Sequence, residues 1–317
     1  MFSRDFTNEN DNSADDLNGH GTHVAGIIGS SDANLEGIAP ECSLIALQVL
    51  SAGGRGSFAG IENALRWCVE NALEYNISAV NMSLGGGYHS KVHSGPLEDE
   101  ISALAQLGVM VVSASGNDSK SDAVSYPSAE EYSFSIGSVT HGGDTKPADT
   151  ISSFSNRAPE LTTVFAPGSN IPAAYAGGRT EILSGTSMAA PVVAGAVVLL
   201  QESALDILGR KLSYNEVSAL LRDQGASIFD GEQEYKRVNV ESIIKEITNL
   251  KKPGFHKIDL KAGDVKENNF GFASNDDLLN AGQSEGSGFT LVGTSLNDKL
   301  EGTEYADRLI GGAGMIL

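Results

Sequence analysis

The chain has 317 residues, 40% of them apolar and 20% charged, with a formal net charge of −20 and only two cysteines, Cys42 and Cys68. So large an acidic excess argues against nucleic acid and anionic membrane as partners, and two thiols cannot build a disulfide framework or a Cys-rich zinc site. No run of 18 or more apolar residues is present, so no transmembrane helix is expected. From Lys251 onward 7 basic and 10 acidic residues leave only −3, and the other −17 lies in residues 1–250.

The first nineteen residues are polar and turn-rich, and no strand is expected there. They lack a charged region followed by an apolar one, so an ordinary signal peptide is not expected. "NGHGTHVAG" follows, with His20 and His23 three apart in a Gly-rich turn. "SLIALQVL" (43–50) reads as a buried strand, 58–75 as an amphipathic helix with Cys68 as a free buried thiol, and "ISAVNMSL" as a second strand. A helix near 96–107 precedes the strand "VMVVSAS". "FSIGSV" and "TTVFAP" are further strands, and helices are expected at 187–203, 213–222 and about 239–249. Strands alternating with helices imply an α/β fold: a parallel sheet with helices on both faces, its functional groups at the carboxyl ends of the strands. The composition changes after "TNLKKPG". The expected organisation is therefore a catalytic domain at 1–250, a linker or irregular β segment at 251–290, and a repeat segment at 291–317.

Three segments carry chemistry. In the first, a histidine titrates near working pH and suits a general base. A His20/His23 metal site is the competing reading, although the helical H-E-x-x-H spacing is absent. In the second, "SGTSMAAPVVAGAVVLL", Ser187 stands in the first turn of a long apolar helix, where backbone N–H groups and the helix dipole favour negative charge. Its ordinary role is a helix cap, and its chemical one is a nucleophile. In the third, "VVSASGNDS", Asn117 follows a strand, either as a turn residue or as an amide donor to a developing oxyanion.

Together these segments resemble the subtilisin-like serine peptidases, the subtilases. "NGHGTHVAG" matches the histidine motif, "SGTSMAAPVVAG" the serine motif, "ASGN" the oxyanion segment and "NMSLGG" the substrate wall, in family order over about residues 1–250. The resemblance implies that His20 is the general base, His23 a structural neighbour, Ser187 the nucleophile and Asn117 the oxyanion donor, acting on peptide bonds through an acyl-enzyme. It places extended substrate between Gly54-Arg55-Gly56 and Ser83-Leu84-Gly85, with Ser125 at the base of the primary pocket, Asp118 at its rim and Phe58 in a more distant apolar pocket. Protein or peptide substrates are the implied partners, and the chemistry needs no cofactor.

The chain departs from the family at its start. The family carries an Asp at the end of an early strand, in a D-[ST]-G motif, and no such motif precedes His20 here. A subtilisin-like sheet lacking its N-terminal central strand is therefore expected, the chain being cut short at that end. Asp5, Asp11, Asp15 and Asp16 are the acids left to orient His20. At the other end, Gly293, Gly302 and Gly311 recur at nine residues, as do Asp298 and Asp307, and Leu300 and Leu309. This resembles the beginning of the calcium-binding nonapeptide repeats of RTX proteins. That resemblance implies a partial β-roll binding calcium weakly through Asp298 and Asp307, export by a type I machinery and a secreted protein. The leading expectation is a secreted serine endopeptidase, and the alternative an inactive remnant acting only as a calcium-binding secreted module.

Overall fold

The computed structural model describes residues 2–7, 15–140, 147–231 and 233–251, together with short backbone strands at 256–257, 290–292 and 308–311. The chain divides into two compact units, Met1–Glu246 and Ile247–Leu317.

The first unit is built on a six-stranded sheet. β3 (Ala79–Met82), β5 (Met110–Ala114), β7 (Ser133–Thr140) and β8 (Thr162–Ser169) run parallel side by side. β12 (Gln233–Arg237) joins β8 in parallel, and β11 (Ala226–Asp230) closes the edge antiparallel, giving the order β11-β12-β8-β7-β5-β3. Helices cover both faces, so the central strands carry almost no exposed residue: all five positions of β5 are buried. On one face lies α4 (Thr186–Leu208), in contact with β3, β5, β7 and β8. α1 (His20–Gly29) packs against α4. On the other face α2 (Phe58–Asn71) and α3 (Glu98–Gln106) share a core of Ile61, Leu65, Cys68, Ile101 and Leu104 with Met82 and Val111. α5 (Tyr214–Asp223) follows α4, and α6 (Val240–Leu250) follows β12. This is the α/β architecture expected from the sequence.

α4 is long and apolar enough by composition to cross a membrane, but it is the central core helix, with Leu200, Val193 and Val197 fully buried. Its apolar faces are used up by the sheet and by α1. Cys42 and Cys68 are both free thiols. Two antiparallel pairs complete the unit: β4 (Gly86–His89) with β6 (Val124–Tyr126), and the hairpin β9 (Ile171–Tyr175) with β10 (Arg179–Leu183).

The expectation that the first residues hold no strand was wrong. β1 (Phe2–Asp5) pairs in parallel with β2 (Ile45–Gln48), from Phe2 opposite Ile45 to Asp5 opposite Gln48. The reason is apolar anchoring: the Phe2 ring stacks on Trp67 at 4.9 Å and meets Tyr75 at 5.7 Å, and Phe6 packs on the same core. β1 and β2 form a sheet of their own, and among the described residues no strand joins β2 to β3.

In the second unit, β13 (His256–Lys257), β15 (Arg308–Gly311) and β14 (Thr290–Val292) form a small sheet in that order, β14 parallel to β15. Asp298 and Asp307 lie outside the described residues.

Candidate active site

α1 begins at His20 because the turn before it is held open by backbone geometry. Gly19 has φ 97°, and a side chain there would run into the Tyr175 ring, whose hydroxyl donates to the Asn18 carbonyl at 2.8 Å. The helix is capped from three residues upstream. The Asp16 carboxylate accepts from the backbone N–H of Gly19 at 2.7 Å and of Thr22 at 2.6 Å, and from the Thr22 hydroxyl at 2.7 Å. Burial opposes ionisation of Asp16, but these hydrogen bonds win and hold its pKa below the usual carboxylate value. Asn18 reaches across to the Ala52 carbonyl at 3.0 Å and so ties the histidine turn to the loop bearing Gly54, Arg55 and Gly56.

His20 is half-buried, and burial holds its pKa below the ordinary 6.5; the Asp16 carboxylate pulls it up and His23 pushes it down. No hydrogen bond joins the His20 ring to a carboxylate among the described residues. Asp5 accepts from Thr7 N–H, Asp16 is occupied as the cap, Asp15 is exposed, and Asp11 lies outside the described residues. His23 is fully buried, its Nε2 3.1 Å from the Ile171 carbonyl and 3.2 Å from that of Glu181, which fastens α1 to the β9–β10 hairpin.

α4 starts at Thr186, and Ser187 occupies its first turn. Asn117, just past β5, is fixed in orientation. Its Oδ1 accepts from Thr186 N–H at 2.8 Å and from the Thr186 hydroxyl at 3.0 Å, so the NH2 end is left facing away. A point one Cβ bond out from Gly185 lies 3.5 Å from that Nδ2 and 3.6 Å from the Ser187 backbone nitrogen. The Asn117 amide and the Ser187 backbone nitrogen therefore both lie close to one point at the amino end of α4, with Asn117 Oδ1 at 3.7 Å, and the helix dipole adds positive potential there. The Ser187 hydroxyl donates to the Ser83 carbonyl at 3.4 Å, and the Ser83 hydroxyl donates to the Ser187 carbonyl at 2.8 Å. This reciprocal pair docks the segment bearing Ser83 against the serine turn.

Other sequence-derived positions make their own contacts. Gly85 lies against Ser125 and the Tyr126 carbonyl, and Leu84 packs on the core under α2 and α3. Gly116 (φ 109°) leaves room where a side chain would strike Ser125 Oγ and Asn156 Nδ2. Phe58 is half exposed and meets Tyr126 edge-on at 5.6 Å.

Sequence reasoning passed over two residues. Thr186 orients Asn117 and also accepts from Gly116 N–H at 3.1 Å. Its position next to Ser187 was a usable signal. Asn156, fully buried, holds the loop after Asn117 by accepting from Asp118 N–H at 2.9 Å and Lys120 N–H at 3.0 Å. It is 39 residues away from Asn117, and nothing local marks it.

Residues 2–256 match the subtilase family model. The chain is 40% identical over 214 residues to alkaline serine exoprotease A of Vibrio alginolyticus, a match covering 67% of this chain and 36% of that protein. It is 37% identical over 228 residues to the major intracellular serine protease of Bacillus subtilis, covering 69% of this chain and 67% of that one. The fold is similar to the crystal structure of a cold adapted subtilisin-like serine proteinase, with TM-score 0.60 and 32% identity over 75% of this chain and 79% of the other.

Proposed function

The chain belongs to the subtilase family, and from that premise we propose that it is a secreted serine endopeptidase. In this reading Ser187 attacks a peptide carbonyl, His20 takes its proton and returns it to the leaving amine, and water completes hydrolysis of the acyl-enzyme. Asn117 Nδ2 and the Ser187 N–H hold the tetrahedral oxyanion. The observation that supports this reading is the Asn117 side chain, whose oxygen is held by Thr186 and whose Nδ2 lies, like the Ser187 nitrogen, within 3.6 Å of the position a Cβ on Gly185 would take. A fixed donor pair at a helix amino terminus costs no reorganisation when charge develops.

Substrate binds as an extended strand between Gly54-Arg55-Gly56 and Ser83-Leu84-Gly85, with the first side chain in a pocket floored by Ser125. Main-chain pairing is sequence-tolerant, so the pocket sets preference. An Asp118 carboxylate at its rim favours Lys or Arg by Coulomb attraction. The catalytic domain of this reading is 1–250. In the same reading the repeats bind calcium weakly, through Asp298 and Asp307 and the carbonyls of Gly turns, and export follows a type I route.

The test is a fluorophosphonate probe with mass-spectrometric mapping. Ser187 is expected to be labelled, with loss of labelling in Ser187→Ala and no effect of chelators. Absence of label at high probe concentration would favour the non-catalytic, calcium-binding reading instead.

A further inference from the structure

The loop that follows Gly116 has nothing apolar to hold it. Residues 117–122 carry only polar and charged side chains and are exposed throughout. Their backbone is also away from relaxed geometry: Gly116 has φ 109°, and Ser119, which bears a side chain, has φ 59°. Hydrogen bonds must place this loop, and from Asp118 to Lys120 they come from one segment, residues 154–157. Asn156 Oδ1 accepts from Asp118 N–H and Lys120 N–H. The Phe154 carbonyl accepts from Ser119 N–H at 2.9 Å, and Arg157 N–H donates to the Lys120 carbonyl at 2.9 Å. The same segment grips the root of the loop. Asn156 N–H donates to the Gly116 carbonyl at 2.9 Å, and the Ser115 hydroxyl donates to the Asn156 carbonyl at 2.7 Å. Thr186 orients the Asn117 side chain, and this brace sets the backbone from which that side chain springs.

The brace is itself anchored. Ser155, fully buried, accepts from Ser138 N–H of β7 at 2.9 Å. The Arg157 guanidinium reaches in two directions. Its Nη1 donates to the Ser155 carbonyl at 3.1 Å, within the brace, while Nε and Nη2 meet the Asp230 carboxylate. Asp230 ends β11, the outer edge strand of the main sheet. The Arg157 side chain is only 14% exposed, so its charge depends on that partner more than on water. A planar fork serves both directions at once, which the compact charge of a lysine ammonium cannot do. A second ion pair, Arg237 with Asp149 at 2.9 Å, ties the neighbouring strand β12 to the chain just before the brace. The hairpin therefore keeps an independent anchor when the Arg157 contact is removed.

We propose that Arg157 is a positioning residue for Asn117. Held by Asp230 at the sheet edge, it fixes the 154–157 brace and, through it, the backbone of the loop that starts at Asn117. The chemical consequence rests on the role proposed above for Asn117, and the structural one on the brace alone.

The experiment uses the full chain and two readouts. Hydrogen exchange reports the loop. In Arg157→Met the amides of Asp118, Ser119 and Lys120 are expected to exchange about tenfold faster, with those of β5 unchanged. Fluorophosphonate labelling of Ser187 reports the chemistry. Its maximal rate is expected to fall about tenfold, the scale of one charge-assisted hydrogen bond, with the half-saturating probe concentration little changed. Asp230→Asn should follow Arg157→Met, Asp230→Glu should recover most of the rate, and Arg157→Lys should not. In an Asn117→Ala background, Arg157→Met should cost no further rate, because it acts through that amide. Unchanged amide exchange in Arg157→Met overturns the brace, even if the unfolding midpoint falls. Faster exchange with an unchanged labelling rate, or losses that multiply in the double variant, overturns the positioning role. If Ser187 is not labelled in the parent chain, the hydrolytic reading fails and the chemical consequence falls with it. The exchange result then still decides whether Arg157 holds the loop.

Discussion

At the scale of single residues, the orientation of Asn117, the proposed oxyanion donor, depends on a threonine. Asn117 points the right way because Thr186 supplies two donors to its oxygen. Asn117→Ala should slow Ser187 labelling by about 10²–10³, the cost of removing one oxyanion donor. Thr186→Val keeps the volume and the backbone donor but removes the hydroxyl from both Asn117 and Gly116. It should slow labelling by roughly tenfold, the free-energy scale of one buried hydrogen bond. The unfolding midpoint measured alongside separates this loss of positioning from general destabilisation.

His20 gives a pH prediction whose sign follows from its surroundings. Burial favours the neutral ring, and a general base must be neutral, so the acid limb of Ser187 labelling should lie below pH 6.5. The Asp16 carboxylate favours the charged ring. Asp16→Asn should therefore move the limb to still lower pH, and a shift upward would contradict the argument. Asp16 also contributes to stability. Its folded pKa is depressed, so that contribution is present above the unfolded value of 3.8 and is lost as the pH falls through the folded one. In Asp16→Asn the cap weakens, and about 1 kcal/mol of stability should be missing at neutral pH, measured by denaturant unfolding.

At the scale of elements, the site depends on how tightly α4 is seated. Gly195 lies under the chain after α1, and a Cβ there would stand 2.7 Å from Ile38 Cβ and 3.0 Å from Ile38 Cγ2. Gly195→Ala should cost about 1–3 kcal/mol through overpacking, and Ile38→Ala in the same chain should recover part of it. That recovery distinguishes a steric clash from a change in helix propensity, which alone would favour alanine. The β9–β10 hairpin is held to α1 by His23, a link between elements 148 residues apart in sequence.

At the scale of the whole molecule, the interrupted sheet is the dominant feature. Half-buried Ile45, Leu47 and Val80, on strands that each keep an edge unpaired among the described residues, favour edge-to-edge association. The chain expressed alone should be poorly soluble, as judged by sedimentation. Joining an upstream segment that supplies a strand ending in Asp should raise both solubility and Ser187 labelling, because it would fill the edges and provide His20 with an orienting acid. Robust labelling without that segment would instead point to one of the acids before His20. For the repeats, calorimetry with millimolar calcium on the full chain, extended by further downstream repeats, should show heat and a circular dichroism change. Neither signal would remove calcium from the proposal.

The sequence by itself determined the class of fold and the family. Alternating apolar runs and amphipathic stretches are local patterns, and β5, β7, β8, α2, α4 and α5 follow them within a few residues. The serine, histidine and asparagine segments stood out because each sits in a short, compositionally unusual turn. Only the tertiary structure decided the rest. β1 exists because Phe2 finds Trp67, 65 positions away. The Asn117 amide is oriented by Thr186, 69 positions away, and the loop after it is held by Asn156. The sequence suggested a missing strand, but not that β2 and β3 would lie in separate sheets among the described residues. Packing and hydrogen-bond direction are set by residues far apart in the chain, and no local pattern encodes them.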